Sequence, residues 1–311
     1  MSKLPISLII DDAGPVNMFH FHALSQKHDL HVPPAFALHF GKICRNLGVK
    51  GKFSVVPIPG GLGRLDRMDQ VSNVDADHIE AFVDIVKEYI SPNFSITSEI
   101  LTHYLAWDTV AGRNTHKCED EFVSTATAEE IADYVSLSLE ILNNLGLDPK
   151  GVTSPWATGI DNEENYAKGI GMAFKRTLGA EKCFYFLHSR DELKHPKIMF
   201  DTPETGKVVS VPNNSADAFW GTQRPKSYAE AKAGARAMID SLISEDGRTG
   251  KLRELYEEGA PLVMITHWQS LYSDGRGVGI AGFEYLMERV NRIFGKDTEW
   301  MNFEELAELA K

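Results

Sequence analysis

Two adjacent carboxylates, Asp11 and Asp12, close the apolar run Ile6-Ser7-Leu8-Ile9-Ile10 and lead at once into Ala13-Gly14-Pro15. Side by side, two such groups repel, so a cation or a shared proton is needed to hold them. Three more apolar runs end in polar clusters. One gives Ser98-Glu99-Ile100-Leu101-Thr102-His103, with Trp107-Asp108 just beyond; another gives Thr153-Ser154-Pro155-Trp156; the last gives Thr266-His267-Trp268. Asp and neutral imidazole are the usual ligands of zinc and similar divalent ions. An ion held this way acidifies water, a neighbouring carboxylate can take the proton, and a histidine can protonate the leaving atom. Asp11, Asp12, His103 and His267 fill those roles if they converge. Each also has a plain structural reading, since strand–Asp–Gly turns are common and a lone histidine more often serves packing than chemistry.

Convergence needs elements that bring strand ends to one rim. Strand-like runs cover residues 6–10, 52–56, 93–96, 151–153, 183–187 and 262–265, with a final short one at 299–301. Between them lie helical stretches at 35–47, 76–89, 127–145, 162–178, 228–244, 251–258 and 282–294, with another at 303–310. Gly48 is placed to cap the first of these, and Thr127 with Glu130 forms a capping box on the third. Residues 197–200 and 207–211 are spaced as a hairpin. Alternation of this kind implies a parallel sheet with crossover helices, and about seven or eight units suggest a closed barrel. In such folds chemistry sits at the carboxyl ends of the strands. No repeat or linker divides the chain, so residues 1–311 are expected to form one domain.

Composition narrows the partners. The 311 residues carry 44 acidic and 32 basic side chains, a formal charge of −12, with 43% hydrophobic and 24% charged residues. That is a globular balance, and its acidity argues against nucleic acid or an anionic membrane as partner. Cys44, Cys118 and Cys183 are odd in number and far apart, without a CxxC, so neither a disulfide framework nor a structural zinc site is indicated. Apolar runs fall short of the ~18–20 residues that span a bilayer. No cleavage signature follows the first lysine, so a cytoplasmic protein is the expectation, although a trimmed secreted chain would look the same. Oligomeric state is not legible.

The chain resembles the polysaccharide deacetylase family (the NodB-homology group) through scattered motifs over most of its length. The strand with Ile10-Asp11-Asp12-Ala13 is similar to the family's first motif, and Gly48-Val49-Lys50-Gly51-Lys52-Phe53-Ser54-Val55 to its next strand. Glu99-Ile100-Leu101-Thr102-His103-Tyr104 resembles the second motif, Thr153-Ser154-Pro155-Trp156-Ala157 the third, Ile265-Thr266-His267 the last catalytic strand, and Trp300-Met301-Asn302-Phe303 the closing unit. The resemblance implies a seven-stranded, often distorted (β/α) barrel. It implies Asp11 as general base, Asp12 and His103 as metal ligands, and His267 as general acid, hydrolysing N-acyl groups of amino sugars or related C–N bonds. Two positions depart from the pattern. The family's second metal histidine falls on Trp107, which cannot ligate; Asp108, or one of His20, His22 and His39, is left to replace it. The arginine that orients the base falls on Thr153.

The expected function is therefore a metal-dependent hydrolase, with zinc or a similar divalent ion, removing an acyl group from a carbohydrate or related small molecule. Trp107, Pro155, Trp156 and Trp268 are expected to line the substrate, because aromatic rings stack on the C–H face of a sugar. Trp220, near Asp217 in a polar loop, belongs to the same set. Two other classes fit the same residues. A metal-free glycosidase would pair Asp11 or Asp12 with Glu99 or Asp108 at about 5–10 Å. A carbohydrate-binding protein would have lost the metal and the turnover. The dense histidines of residues 17–39 read better as a long rim loop than as a metal cluster of their own. The glycine-rich stretch at 275–279 lacks a Walker lysine, and no Gly-x-Ser-x-Gly elbow is present.

Overall fold

The computed structural model describes residues 3–22, 28–188, 193–223 and 227–311. Eleven strands are found among these residues: β1 Leu4–Ala13, β2 Gly51–Val55, β3 Phe94–Glu99, β4 Leu105–Asp108, β5 Arg113–Cys118, β6 Gly151–Thr153, β7 Lys182–Tyr185, β8 Lys197–Thr202, β9 Gly206–Ser210, β10 Leu262–His267 and β11 Thr298–Trp300. The main sheet runs β10-β1-β2-β3-β6-β7-β9-β8, parallel except for the β8–β9 hairpin, and β11 adds to the first residues of β1. The strands alternate with helices, of which Pro34–Leu47, Ala128–Asn144, Glu163–Leu178 and Val278–Phe294 are the longest along the first, third, fourth and last crossovers.

Alternation along the strands builds two cores. Residues such as Leu8, Ile10, Phe53 and Val55 face the helices and join one large apolar cluster. The opposite face is enclosed by the sheet itself: Ile9, Phe184, Phe186, Val209, Val211, Val263 and Ile265 form a second cluster, floored by Phe303 and Leu306 of the closing helix. Between β1 and β6 this inner face turns polar, with Ser7, Asp11, Lys52, Ser54, Thr97, Glu99 and Thr153 all buried. Gly151 is needed here, because a Cβ at its position would meet the Phe184 ring at 2.4 Å.

No strand ladder joins β9 to β10 among the described residues. The chain after β9 bridges the gap instead. The Asn214 backbone N–H donates to Val263 O at 3.3 Å, its Nδ2 to Pro261 O at 2.8 Å, and its Oδ1 accepts from Val263 N at 3.0 Å. Seven strands from β10 to β9 run parallel, β11 is an eighth against β1, and the segment after β9 is bonded to β10 through the Asn214 backbone and side chain rather than by a strand ladder.

The sequence reading missed the β4–β5 hairpin and the helix Glu119–Thr125. β5 is Arg-Asn-Thr-His-Lys-Cys, largely exposed, so no apolar alternation marks it. No helix among the described residues is long and apolar enough to cross a membrane, and the three cysteines are free.

Candidate functional site

Backbone geometry at the end of β1 decides where its two carboxylates point. Successive side chains of a strand face opposite sides, so Asp11 and Asp12 would ordinarily diverge. The β1–β2 register shifts between Ile10 and Ala13, a bulge that contains both residues, and Asp12 takes a left-handed φ of 60°. Asp11 stays on the inner face, where parallel register sets it beside His267 of β10. Asp12 turns toward the loop after β3. That loop is itself strained, with φ of 29° at Ile100 and 52° at His103, and Trp156 after β6 has φ 52°. Non-glycine residues in this region are uncommon and gather at functional sites.

Helix Glu119–Thr125 holds the strained loop in place. The buried Glu119 carboxylate accepts from the backbone N–H groups of Thr102 and His103, both at 2.8 Å, and from the Tyr134 hydroxyl at 2.7 Å. So fixed, His103 brings Nε2 to 2.7 Å from Asp12 Oδ1, while its Nδ1 shares a 3.0 Å hydrogen bond with His22 Nε2. Glu99 lies beneath, its Oε2 accepting from Asp12 N at 3.5 Å and its Oε1 without a hydrogen-bond partner. Asp12, Glu99 and His103 keep their ligand atoms within 4.8 Å of one another. One imidazole, two carboxylates and an orphaned buried oxygen suit a divalent cation. Anchoring of the far His103 nitrogen is what metal-bound histidines usually show.

Asp11 is held from the other side. Lys52, fully buried on β2, donates to Asp11 Oδ1, to Thr153 Oγ1 and, at 2.7 Å, to Ser54 Oγ, with the Phe186 ring 4.9 Å away. The cation that the motif places on the third-motif strand thus comes from β2 instead, with Thr153 as its hydrogen-bond partner. Asp11 Oδ2 has no hydrogen-bond partner.

His267 is the best-anchored residue of the site. Its Nδ1 lies 2.8 Å from Asp217 Oδ2, which also accepts from the His267 backbone N–H at 3.1 Å and the Ser270 hydroxyl at 2.8 Å. Asp217 Oδ1 accepts from Thr266 Oγ1 and Phe219 N. With Nδ1 committed, Nε2 is the nitrogen left to act. His188, just past β7, stacks near His267 at 5.9 Å between ring centroids.

Charges here are strongly coupled. Burial pulls His267 and His103 down, but Asp217 at the first and Asp12 at both outweigh it, raising each to about 9. Asp12, despite burial, is held well below the usual carboxylate range by His103. Glu99 is pushed up to about 8 by burial and by the charges of Asp11 and Asp12. His22 and His188 are pulled down to about 4, first by burial.

Of the residues the sequence pointed to, Asp11, Asp12, His103 and His267 are gathered here. Trp156 is 40% exposed beside the His22 and His103 rings, and Pro155 is buried beneath it. Trp220, also 40% exposed, lies 4.7 Å from the His267 ring. Two expectations need correction. Trp268 is not at the rim: the chain turns straight into the helix Trp268–Tyr272, which buries the indole against Phe36, Phe40 and Phe53 while Nε1 donates to Gly14 O. Asp108 belongs to neither metal-capable group, because its Oδ1 accepts from Val110 and Ala111 in the β4–β5 turn. Trp107 sits on the same hairpin, its N–H bonded to Tyr134. Within the histidine-rich segment, His22 reaches the site, His28 pairs with Asp274, and residues 23–27 lie outside the described residues. A groove of about 650 Å³ between the helices Tyr228–Leu242 and Val278–Phe294 carries no comparable polar cluster.

Sequence reasoning passed over Lys52, His188 and the anchoring role of Asp217. His188 follows an apolar run as His103 and His267 do, so the same signal marks it. Lys52 looked like the polar start of a strand.

No protein-family model matches the chain, and no curated protein matches its sequence. Among solved structures it is similar to a GH57 branching enzyme of Thermococcus kodakaraensis in complex with glucose, at 13% identity and TM-score 0.51, over 99% of this chain and 71% of that one. It is also similar to a provisionally assigned glycoside hydrolase/deacetylase of Parabacteroides distasonis, at 11% identity and TM-score 0.50, over 98% and 70%. A provisionally assigned polysaccharide deacetylase of Mycobacterium smegmatis aligns at 15% identity and TM-score 0.49, over 88% and 77%. Identities this low speak for fold alone, and the last likeness carries no argument.

Proposed function

We propose that the protein is a metal-dependent hydrolase that removes an acyl group, as amide or ester, from a carbohydrate or related C–N substrate. One observation carries the reading: an Asp217–His267 pair and a buried Asp12–Glu99–His103 group, with the Asp11 carboxylate adjoining both. Asp12, Glu99 and His103 would hold the cation. Bound there, it would polarise the acyl oxygen and lower the proton affinity of water.

The chain's own residues supply the rest. Asp11 Oδ2, free of hydrogen bonds, takes the proton from the attacking water, while Lys52 on Oδ1 keeps the carboxylate oriented. His267 carries its proton at Nε2 toward the leaving nitrogen or oxygen, and Asp217 fixes the ring and stabilises its charged form. Trp156 and Trp220, exposed on the His103 and His267 sides, offer faces for a sugar ring. The similar solved structures described as a glycoside hydrolase/deacetylase and as a glucose-bound branching enzyme make a carbohydrate the first substrate class to test.

A glycosidase reading has one point in its favour, the raised Glu99 beside the depressed Asp12, a split expected of an acid and its partner. Against it, Glu99 lies completely buried beneath Asp12, its Oε2 accepting from the Asp12 backbone N–H.

The test is release of acetate from N-acetylated and O-acetylated sugar oligomers, with and without a chelator. Release that stops on chelation and returns with zinc or cobalt supports the reading. Chelator-resistant cleavage between sugar rings, or sugar binding without turnover, overturns it.

A further inference from the structure

The hydrolysis proposed above leaves His188 without a task, yet this residue completes a second cluster. Asp11, His188 and His267 hold their ligand atoms within 4.8 Å of one another, separately from Asp12, Glu99 and His103. Asp11 is fully buried, and its Oδ2 has no hydrogen-bond partner although His188 Nε2 lies only 3.4 Å away. A lone pair and a ring nitrogen facing each other without bonding are what ligands of a common ion look like. For bond lengths of ~2.1 Å, the edge of a tetrahedron around zinc is about 3.4 Å.

Two further features favour a cation. His267 is oriented through Nδ1 by Asp217, the carboxylate–histidine arrangement that steers the other nitrogen onto a metal. The inner face also carries more acid than base: Asp11, Asp12, Glu99 and Asp217 face one another or the same imidazoles, while Lys52 is bonded to Asp11 through Oδ1 only. Oδ2 remains open to a ligand.

We propose that Asp11, His188 and His267 form a second divalent-cation site, and that filling it inhibits the enzyme. The donor sets of the two sites differ. Both suit zinc or another borderline ion, but the Asp12 site, with two carboxylates to the one that Asp11 shares with Lys52, carries the larger negative charge and fills first. Inhibition rests on the proposed hydrolysis: an ion on Asp11 Oδ2 and His267 Nε2 takes both groups out of proton transfer. Binding does not rest on it.

The experiment is calorimetric titration of the metal-free protein with zinc, followed by cobalt absorption in the visible range and the acetate assay at each loading. The wild type is expected to take up two equivalents, and His188→Ala and His103→Ala one each. The cobalt absorption that appears with the second equivalent in the wild type should be missing from His188→Ala. His188→Gln, closer in size, repeats the measurement if the alanine variant melts early. A single equivalent in the wild type, retained in full by both His188 variants, overturns the site. Acetate release should pass through a maximum and fall as the second equivalent binds, with no falling limb in His188→Ala. Release that rises with the second equivalent overturns the inhibitory role. Two equivalents without turnover at any loading would uphold the site and sink the hydrolase.

Discussion

Asp217 and Trp268 show how differently two residues near His267 matter. Asp217 fixes the Nδ1 tautomer, so Asp217→Asn should lower kcat by about 10²–10⁴-fold, in the range of a misplaced general acid, with KM little changed. Steady-state acetate release with a melting curve alongside checks it; full activity would remove His267 from proton transfer. Trp268→Ala empties a packed site and should cost about 3–5 kcal/mol in urea unfolding, whereas Trp156→Ala should leave stability near wild type and raise KM. The pH dependence follows from the same residues. In the metal-free protein His103 and His267 lie at about 9, above their ordinary 6.5, and Glu99 at about 8, above 4.5. Each binds its proton more tightly when folded, so the stability they contribute is lost as pH rises, from about 6.5 to 9 for the histidines and from about 4.5 to 8 for Glu99. His22 and His188, at about 4, act with the opposite sign and weaken the fold as pH falls below 6.5. Urea midpoints of chelated protein should therefore fall between pH 6.5 and 9; a rise would contradict the charge assignments. Asp11, Asp12, His103 and His267 were legible because each is a polar residue just past an apolar run. His22 and Asp217 were not fixed by any such signal, since they reach the site from loops whose path only the folded chain defines.

At the scale of elements, two local devices make the site. The β1 bulge lets neighbouring carboxylates serve different partners, and Lys52 on β2 reaches across β3 to Thr153 on β6. Lys52→Met would leave Asp11 as a buried unpaired charge and should cost about 3–5 kcal/mol in unfolding free energy. A loss below 1 kcal/mol would mean that Asp11 is balanced by something else. Strands with unbroken apolar runs were readable to within a few residues, as were the helix opened by the Thr127–Glu130 box and the one closed at Gly48. The β4–β5 hairpin was not, because an exposed polar ribbon has no periodic pattern. Its absence from the reading is what left Asp108 as a candidate ligand.

For the whole molecule, the sheet's enclosed face is divided between an apolar half and a polar half, and the catalytic candidates occupy the upper end of the polar one. Composition and alternation made the parallel α/β plan legible. The way β10 is joined to the segment after β9 was not, because Asn214 makes that join from outside any strand, with two side-chain bonds and one backbone bond that no strand pattern encodes. Asn214→Ala removes them and should destabilise by about 1–3 kcal/mol, with faster hydrogen exchange at Val263 than elsewhere in β10. Unchanged exchange there would show that the stitch does not hold the two edges. The central claim is that a cation sits among Asp12, Glu99 and His103. Its most direct measurement is an anomalous difference map, recorded at the zinc edge, from crystals grown with zinc at one equivalent or more. A peak between those three side chains, absent in His103→Ala, is the predicted result; an intact fold with no peak at that position would contradict it.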